Sequence, residues 1–363
     1  MASKSYDTTS PLDKSETYSS LDPSKLRDRI AGLPDQCVLA WEKGSSLPLP
    51  DSYADAQTAV VLGVGGSAIG GDLIAALAHL KKGPSVTVAR DYTLPPWLGP
   101  HTLVIASSYS GNTEETLAMY HQARERDAKL LAVTTGGTLG MLAKQDGIPL
   151  LKVAYQGEPR SALGYSFIAP LAFLCKLGFL ENRGNELAEA VQELRELAGT
   201  LSPQVPLSQN QAKRMATNLH GTLPVLYGAG FLTGVARRWK TQLNENSKVW
   251  AFAEELPEAN HNSAQGLALP SEVSDRVAVV LIHSSLLHPR TSQRFNVTQS
   301  LLSQEGIKHY QIEATGKTPL TQVLSAIIMG DYVSYYLAML NQVDPAATAT
   351  LDWLKESMAA IQG

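Results

Sequence analysis

A run of hydroxyl-bearing residues directly follows an apolar segment, and its types and spacing suit the binding of an anion. Residues 107–116 read Ser-Ser-Tyr-Ser-Gly-Asn-Thr-Glu-Glu-Thr, and the apolar run at 103–106 predicts a strand that leads into a helix. The first N–H groups of a helix have no acceptor within the helix, and the helix dipole adds partial positive charge there. With the hydroxyls of Ser108, Ser110 and Thr113 around it, this helix start favours a phosphate monoester.

A helix cap is the simpler explanation of the same residues. Asn112 would then accept the first amide of the helix, and Glu115 would close a capping box. That arrangement accounts for two residues and leaves Ser108, Ser110 and Gly111 without a role. The sequence therefore favours an anion site over a cap alone.

A glycine-rich turn at 63–72 follows another apolar run. Glycine adopts positive φ and lets the backbone approach a ligand closely, so we expect Gly65, Gly66 and Ser67 to contact a phosphorylated ligand. A dinucleotide site is an alternative, because Asp91 follows the next strand where a ribose-binding carboxylate would stand. The spacing departs from G-x-G-x-x-G, however, and two prolines crowd the region after that strand. A purely structural turn is the other alternative.

The composition is that of a globular protein with a mild acidic balance. The chain has 363 residues, of which 44% are hydrophobic and 18% charged, and its net charge is −4. This length allows two domains or one large one, and the acidity argues against a nucleic-acid partner. Cys37 and Cys175 lie far apart in apolar surroundings, which predicts buried thiols in a reducing compartment rather than a metal or redox site.

Residues 1–20 are rich in Ser, Thr, Asp and Tyr and have no apolar core. This pattern predicts a disordered leader rather than a secretory signal. No segment of the chain approaches the ~18 apolar residues that a membrane span needs. We therefore expect a cytoplasmic protein without a membrane partner.

Apolar runs alternate with helical patterns along the first half of the chain. Strands are expected at 58–64, 85–89, 102–106, 130–134 and 149–153, and helices at 24–43, 69–80, 113–126, 139–145, 163–177 and 184–198. Buried, β-branched strands in alternation with helices predict a parallel sheet that is covered on both faces.

The same order begins again in the second half. Residues 223–230 repeat the pattern of 59–66, and the later elements are strands at 277–282 and 307–312 and helices at 232–246, 291–304, 318–341 and 345–361. We predict an α/β protein of two tandem flavodoxin-like or Rossmann-like αβα domains with parallel sheets and a C-terminal helix. The domains are expected at 21–200 and 201–363, joined near 200–208. Ligands should bind at the carboxyl ends of the strands.

These motifs resemble the sugar isomerase (SIS) domain superfamily, and within it the bifunctional phosphoglucose/phosphomannose isomerases. The resemblance covers residues from about 24 to 363 and rests on Gly-Gly-Ser at 65–67 and Ser-Tyr-Ser-Gly-Asn-Thr at 108–113. Asn-Glu-Asn at 244–246 and Pro-Glu-Ala-Asn-His-Asn at 257–262 narrow it to the isomerases. It implies two SIS domains, a sugar phosphate substrate and a place in glycolysis and gluconeogenesis.

Glu245 falls off the apolar stripe of its helix. It lies near the predicted C-terminal end of that helix, where the dipole disfavours a carboxylate. A solvated surface glutamate is the ordinary explanation, although a raised proton affinity would also suit a general base. The resemblance implies the base, which moves a proton between C1 and C2 of the open-chain sugar.

His261, Lys355, Thr348 and Arg160 have ordinary explanations as surface residues. His261 lies in a polar loop and titrates near neutrality, and Thr348 and Lys355 are two helical turns apart on one side of the last helix. The resemblance implies that His261, from the neighbouring subunit of a homodimer, and Lys355 open the sugar ring. It also implies that Thr348 lines the pocket and leaves room for either C2 epimer. Arg160 would stabilise the negative charge of the enediolate.

No metal or cofactor is expected, because no cluster has metal-ligand spacing and the carbonyl of the substrate acidifies the transferred proton itself. A non-catalytic sugar-phosphate sensor on the same fold is one alternative function. A fructose 6-phosphate aminotransferase-type isomerase domain is another. The first would usually carry a nucleic-acid-binding segment and the second an amide-handling domain, and neither is evident in the sequence.

Overall fold

The computed structural model describes residues 10–80 and 82–361, which form two parallel sheets. The strands of the first sheet are β1 (Thr58–Leu62), β2 (Ser85–Ala89), β3 (Thr102–Ser107), β4 (Lys129–Thr134) and β5 (Leu150–Lys152). Their order is β2-β1-β3-β4-β5, and every neighbouring pair is parallel. Because Leu62 pairs with Ala106, the glycine turn and the hydroxyl-rich loop leave the sheet side by side.

The second sheet repeats this topology with one strand fewer. Its strands are β6 (Leu223–Ala229), β7 (Phe252–Leu256), β8 (Val277–His283) and β9 (Lys308–Glu313), in the order β7-β6-β8-β9. Each first strand is followed by a glycine with positive φ, Gly65 at +55° after β1 and Gly230 at +52° after β6, and each glycine opens a 3₁₀ turn. The α/β class with parallel sheets and the internal repeat are thereby confirmed. The domain boundary near 200 stays a prediction.

The helices cover both faces of the sheets. In the first half they are α1 (Ser15–Leu21), α2 (Leu26–Ala31), α3 (Leu33–Ser46), α4 (Ile69–Ala78), α5 (Glu114–Glu125), α6 (Gly137–Gln145), α7 (Ala169–Lys176) and α8 (Gly184–Thr200). In the second half they are α9 (Gln211–Leu219), α10 (Thr233–Glu245), α11 (Ser271–Ser274), α12 (Pro289–Gln304), α13 (Pro319–Leu340) and α14 (Ala349–Ala360). The sequence did not predict α9 or β7. The last helix begins at Ala349 rather than at 345.

One cluster of buried apolar residues runs through both halves of the chain, and a smaller one lies between the first sheet and helices α5 and α6. Helix α13 is at the centre of the larger cluster and packs on α8, α9 and α10. It is long and apolar enough to cross a membrane, contrary to the expectation that no segment would be, but 94% of its most apolar window is buried inside the protein. Its apolar character is that of a core helix.

The prediction of a disordered leader is wrong for residues 10–20. Pro11–Asp13 forms a 3₁₀ helix and α1 follows it, with the side chains of Leu12 and Tyr18 buried. The Tyr18 ring stacks on Tyr335 of α13 at 6.0 Å between centroids. Two apolar anchors therefore order a segment whose composition is polar; residues 1–9 lie outside the described residues.

Candidate functional site

The hydroxyl-rich loop between β3 and α5 has its own hydrogen-bond network. Ser108 Oγ lies 2.9 Å from Thr113 Oγ1 and accepts the N–H of Gly111 at 3.1 Å. Ser110 is exposed, and its Oγ accepts the N–H of Asn112 at 3.2 Å. The three predicted hydroxyls therefore lie in one loop, next to a helix start.

Asn112 does not cap this helix, so the capping alternative is wrong. The residue before α5 is Thr113, which makes no side-chain cap bond. The Asn112 Oδ1 instead accepts the N–H and the hydroxyl of Thr138 on α6, each at 3.0 Å. No side chain of the described structure caps the first amides of α5, which leaves them to a ligand or to water.

The glycine turn lies against the same loop. Ser67 is buried, and its Oγ accepts the N–H of Tyr109 at 3.1 Å. A Cβ on Gly65 would meet open space, whereas one on Gly66 would lie 2.9 Å from the backbone nitrogen of Arg160. Close packing against Arg160 therefore explains why residue 66 is a glycine without any ligand. Contact of a ligand with Gly65, Gly66 and Ser67 stays a prediction.

Arg160 joins the two halves of the molecule. It lies on the 3₁₀ turn Pro159–Ser161 and is 3% exposed. Its Nε donates to Asn246 Oδ1 at 2.6 Å and its Nη1 to Glu245 Oε2 at 3.2 Å. Its Nη2 donates to the carbonyls of Pro345 at 2.8 Å and Ala346 at 3.2 Å. Burial lowers the pKa of Arg160, and the facing Glu245 carboxylate opposes that shift.

Glu245 is the last residue of α10, as predicted. The apolar stripe of this helix, including Val235, Trp239 and Leu243, is buried in the core, and the stripe holds the helix so that its end meets Arg160. The Glu245 side chain is 25% exposed, so its carboxylate touches the guanidinium and solvent at once. A carboxylate with this access can exchange a proton with a ligand.

Thr348 and Lys355 are connected through a third residue. Thr348, the residue before α14, donates through its Oγ1 to Asp352 Oδ2 at 3.1 Å, and Lys355 Nζ lies 3.4 Å from Asp352 Oδ1, so both side chains reach one carboxylate of that helix. Thr348 follows shortly after Ala346, whose carbonyl binds Arg160. Lys355 is exposed, and within the described residues its polar contact is with Asp352, not with Glu245.

His261 takes no part in the hydrogen bonds and the ion pair described above. It ends the exposed 3₁₀ turn Glu258–His261 after β7. Among residues 10–80 and 82–361 it has no hydrogen-bond partner. Within one chain the contacts therefore unite Arg160 with Glu245 and bring Thr348 near, but they do not include His261 or Lys355.

Sequence reasoning missed two residues of the site. Asn246, buried beside Glu245, holds Arg160 through its Oδ1 and donates to Ser334 Oγ at 2.9 Å. Lys248 adopts positive φ, +58°, and its ammonium reaches carbonyls on two segments of the site. Both lie within three residues of Glu245. Asn246 belongs to the Asn-Glu-Asn motif at 244–246, a signal that was not used for this residue, whereas the bonds of Lys248 to main-chain carbonyls have no signature in the residue types.

A groove of about 430 Å³ runs beside the glycine turn, between α4 and α10. It is lined in part by Arg90, Arg237 and Lys240, and the Asp72 carboxylate bonds both to Arg90 and, at 3.0 Å, to Arg237. Among the residues that the structure describes, no group of three or more His, Cys, Asp or Glu side chains could hold a metal ion. The junction and the groove beside it thus combine hydroxyls, carboxylates and basic side chains.

A family profile and relatives that match most of the chain identify its family. A profile described as the bacterial phospho-glucose isomerase C-terminal SIS domain matches residues 208–358. A bifunctional phosphoglucose/phosphomannose isomerase of Caldicellulosiruptor bescii is 39% identical over 336 residues, 92% of this chain and 99% of that protein. One from Aquifex aeolicus is 33% identical over 301 residues, 82% of this chain and 89% of that protein. The crystal structure of a glucose-6-phosphate isomerase like protein from Thermus thermophilus has a TM-score of 0.62 at 22% identity, covers 95% and 98% of the two chains, and supports the fold alone.

Proposed function

The chain belongs to the family of bifunctional phosphoglucose/phosphomannose isomerases, and on that premise we propose that it interconverts glucose 6-phosphate and mannose 6-phosphate with fructose 6-phosphate. The observation that carries the proposal is the contact between Arg160 and Glu245 at 3.2 Å. It places a solvent-accessible carboxylate and a buried cation at the junction of the two halves. A proton transfer through an anionic intermediate needs such a pair.

The phosphate of the substrate is expected on the first half of the chain. Ser67, Ser108, Ser110 and Thr113 supply hydroxyls, and the uncapped start of α5 adds amides and partial positive charge. The Ser67–Tyr109 bond joins the glycine turn to the hydroxyl-rich loop. The packing of Gly66 on Arg160 then joins that turn to the acid–base pair. The segments expected to bind the phosphate and those expected to act on the reacting carbons of a hexose phosphate are therefore in contact with each other.

The proton transfer itself is assigned to Glu245. After His261 and Lys355 open the ring, Glu245 abstracts the C2 proton and returns it to C1 through a cis-enediolate. Arg160 has five N–H donors, and four of them form the hydrogen bonds described above. The second N–H of Nη1 remains to donate to the enediolate oxygen. No cofactor takes part in this scheme.

The role assigned to His261 requires a second copy of the chain. His261 is exposed and unpartnered within the described part of one chain, which fits a residue that completes the site of a neighbour in a homodimer. In the same region, the ring centroids of Trp250 and Phe252 lie 5.2 Å apart, and Trp250 is 74% exposed. Exposed aromatic surface of this kind is typical of an interface between proteins.

Mixing two inactive variants tests the shared site. A hybrid dimer of Glu245→Gln and His261→Asn subunits has one site with both changes and one site with neither, if each site takes His261 from its partner. After statistical exchange of subunits, activity should return to about a quarter of the wild-type value. No recovery, with exchange verified by differently tagged subunits, would show that each site uses its own histidine.

Dual specificity is assigned to the neighbourhood of Thr348. The side chain is bound to Asp352 and lies near the segment whose carbonyls hold Arg160, next to the expected place of C1 to C3. We place the enzyme in the cytoplasm, because Cys37 and Cys175 are free thiols. A coupled assay with both sugar phosphates and added EDTA tests specificity and metal independence together; a protein inactive on mannose 6-phosphate refutes the dual specificity alone.

The decisive experiment is Glu245→Gln. The amide keeps an acceptor for Arg160 but cannot take up the proton, so kcat should fall about 10²- to 10⁴-fold while fructose 6-phosphate still binds. Glu186→Gln is the matched control, because Glu186 also pairs with a buried arginine, Arg183 at 2.7 Å, and lies on α8 outside the proposed chemistry. Near-normal kcat in Glu245→Gln would refute the enzymatic assignment. A wild-type protein that binds the sugar phosphate without turnover would instead favour the non-catalytic regulator, which the enzyme names of the relatives do not favour.

A further inference from the structure

Lys248 binds two segments of the candidate site at once. Its Nζ donates to the carbonyl of Glu245 at 2.6 Å and to that of Ala347 at 2.8 Å, with a longer contact of 3.4 Å to the carbonyl of Asn246. An ammonium group has three N–H donors, so these carbonyls occupy all of them. The backbone of Lys248 adopts positive φ, which turns the chain back toward the end of α10.

The first of these bonds is made at the end of a helix. The last carbonyls of α10 receive no hydrogen bond from an N–H group of the same helix. A cation near them is also stabilised by the helix dipole. Since Glu245 is the last residue of α10, the ammonium that binds its carbonyl also fixes the backbone from which the carboxylate projects.

The second bond is made to the segment that leads into α14. The carbonyls of Pro345 and Ala346 are bound by Arg160, and the carbonyl of Ala347 is bound by Lys248. Two cations therefore hold three successive carbonyls directly before Thr348. Each of these cations also holds Glu245, Arg160 through the carboxylate and Lys248 through the main chain.

From this geometry we propose that Lys248 is a positioning residue for the isomerisation, which fixes the Glu245 base relative to the 345–348 segment that lines the sugar. The inference rests on the proposed function, since it assigns Lys248 a part in that reaction. Lys248 does not touch the substrate; it acts through Glu245 and Ala347.

The charges around Lys248 agree with a cation that is held rather than free. Burial lowers the pKa of Lys248, and the neighbouring Arg160 lowers it further, while the carboxylates of Asp344 and Glu245 oppose the shift.

The test compares Lys248→Met with Lys248→Arg and with Lys176→Met. Methionine keeps the length of the stem without donors, and arginine restores a cation that can bind carbonyls. Lys176 is the matched control, because it donates to the carbonyl of Leu47 at the end of α3 and has no contact with the site. Each variant is assayed for kcat and KM with fructose 6-phosphate.

In Lys248→Met, kcat should fall about 10- to 100-fold, the scale of a lost charged hydrogen bond, and KM should change less than about threefold because the phosphate is held elsewhere. Lys248→Arg should recover part of the loss, and Lys176→Met should keep wild-type kcat. The inference is overturned if Lys248→Met keeps kcat within about threefold of wild type, or if Lys248→Arg fails to exceed it. Should the methionine variant not fold, Lys248→Gln is judged by the same limits.

Hydrogen exchange separates this inference from the proposed function. Without Lys248, amides at 346–352 should exchange about tenfold faster, whether or not the protein turns over a sugar phosphate. An inactive wild type would refute the proposed function, while unchanged exchange in Lys248→Met would refute the positioning role by itself.

Discussion

Replacement of Arg160 by alanine tests whether the junction of the two halves depends on one side chain. The guanidinium is buried and donates to Asn246, Glu245 and two main-chain carbonyls at 2.6–3.2 Å. Removing one partner of a buried ion pair costs about 3–5 kcal/mol. Water can reach Glu245, whose side chain is 25% exposed, and this keeps the cost within that range rather than adding a full penalty for every lost bond.

This cost can be converted into a melting temperature. An unfolding entropy of about 2.1 cal/mol/K per residue gives about 0.76 kcal/mol/K for the chain, so a loss of 3–5 kcal/mol lowers Tm by about 4–7 °C. Calorimetry on Arg160→Ala measures it, and Arg160→Lys, which keeps the charge without the planar fork, should lose less. Arg29→Ala is the control, because it removes another arginine from a glutamate at 2.7 Å without touching the junction.

Activity must change in the same series for the reasoning to hold. At 25 °C, well below the expected transition, Arg160→Ala and Arg160→Lys should both lose turnover, since neither presents the remaining Nη1 donor to an enediolate. Arg29→Ala should keep kcat. A Tm for Arg160→Ala within about 1 °C of wild type, or undiminished turnover, would contradict the structural role or the chemical role respectively.

Three further changes have outcomes fixed by local geometry. Leu12→Ala should cost about 2–5 kcal/mol in urea unfolding, because Leu12 is fully buried; a loss below about 1 kcal/mol would mean that the segment is not anchored. Burial raises the pKa of Tyr336, so this residue ionises first in the unfolded chain above about pH 10 and by itself lowers the free energy of unfolding there by up to about 1.4 kcal/mol per pH unit; Tyr336→Phe should make the total slope less steep by that contribution. Gly66→Ala should displace the Arg160 backbone and reduce kcat, whereas Gly199→Ala, where a Cβ meets open space, should not.

The elements that the sequence predicts well are the interior strands. β1 and β3 are buried along almost their whole length, so they read as continuous apolar runs. β7 was missed because it is an edge strand whose residues, Phe-Ala-Glu-Glu-Leu, are mostly exposed and carry charge. Residues 10–20 were misjudged for a related reason. Composition averages over a segment, whereas two buried side chains decide its order.

The candidate site divides in the same way. Hydroxyls next to a glycine turn are a local pattern, and the structure does place Ser67 and Ser108 on adjoining loops. The partners of Arg160 are separated from it by 85 to 186 positions in the sequence, and no spacing rule connects them. Lys248 was missed although it is near Glu245. Its partners are main-chain carbonyls, which every residue has, so the residue types do not reveal the contact. A site formed by neighbouring residues can be predicted from the sequence, whereas contacts between residues far apart in the sequence cannot.

The charge inside α13 connects the core to the candidate site. Asp331 is the one charged residue of this apolar helix, and it accepts from Arg238 at 2.8 Å and from Gln242 at 2.9 Å on α10. Arg238 Nη2 also lies 3.3 Å from the carbonyl of Arg160. Apolar residues would fill that space without the cost of desolvating two charges. The network instead fixes the rotation of α10 and the backbone of Arg160 together, a constraint that suits the proposed role of Glu245 as the base.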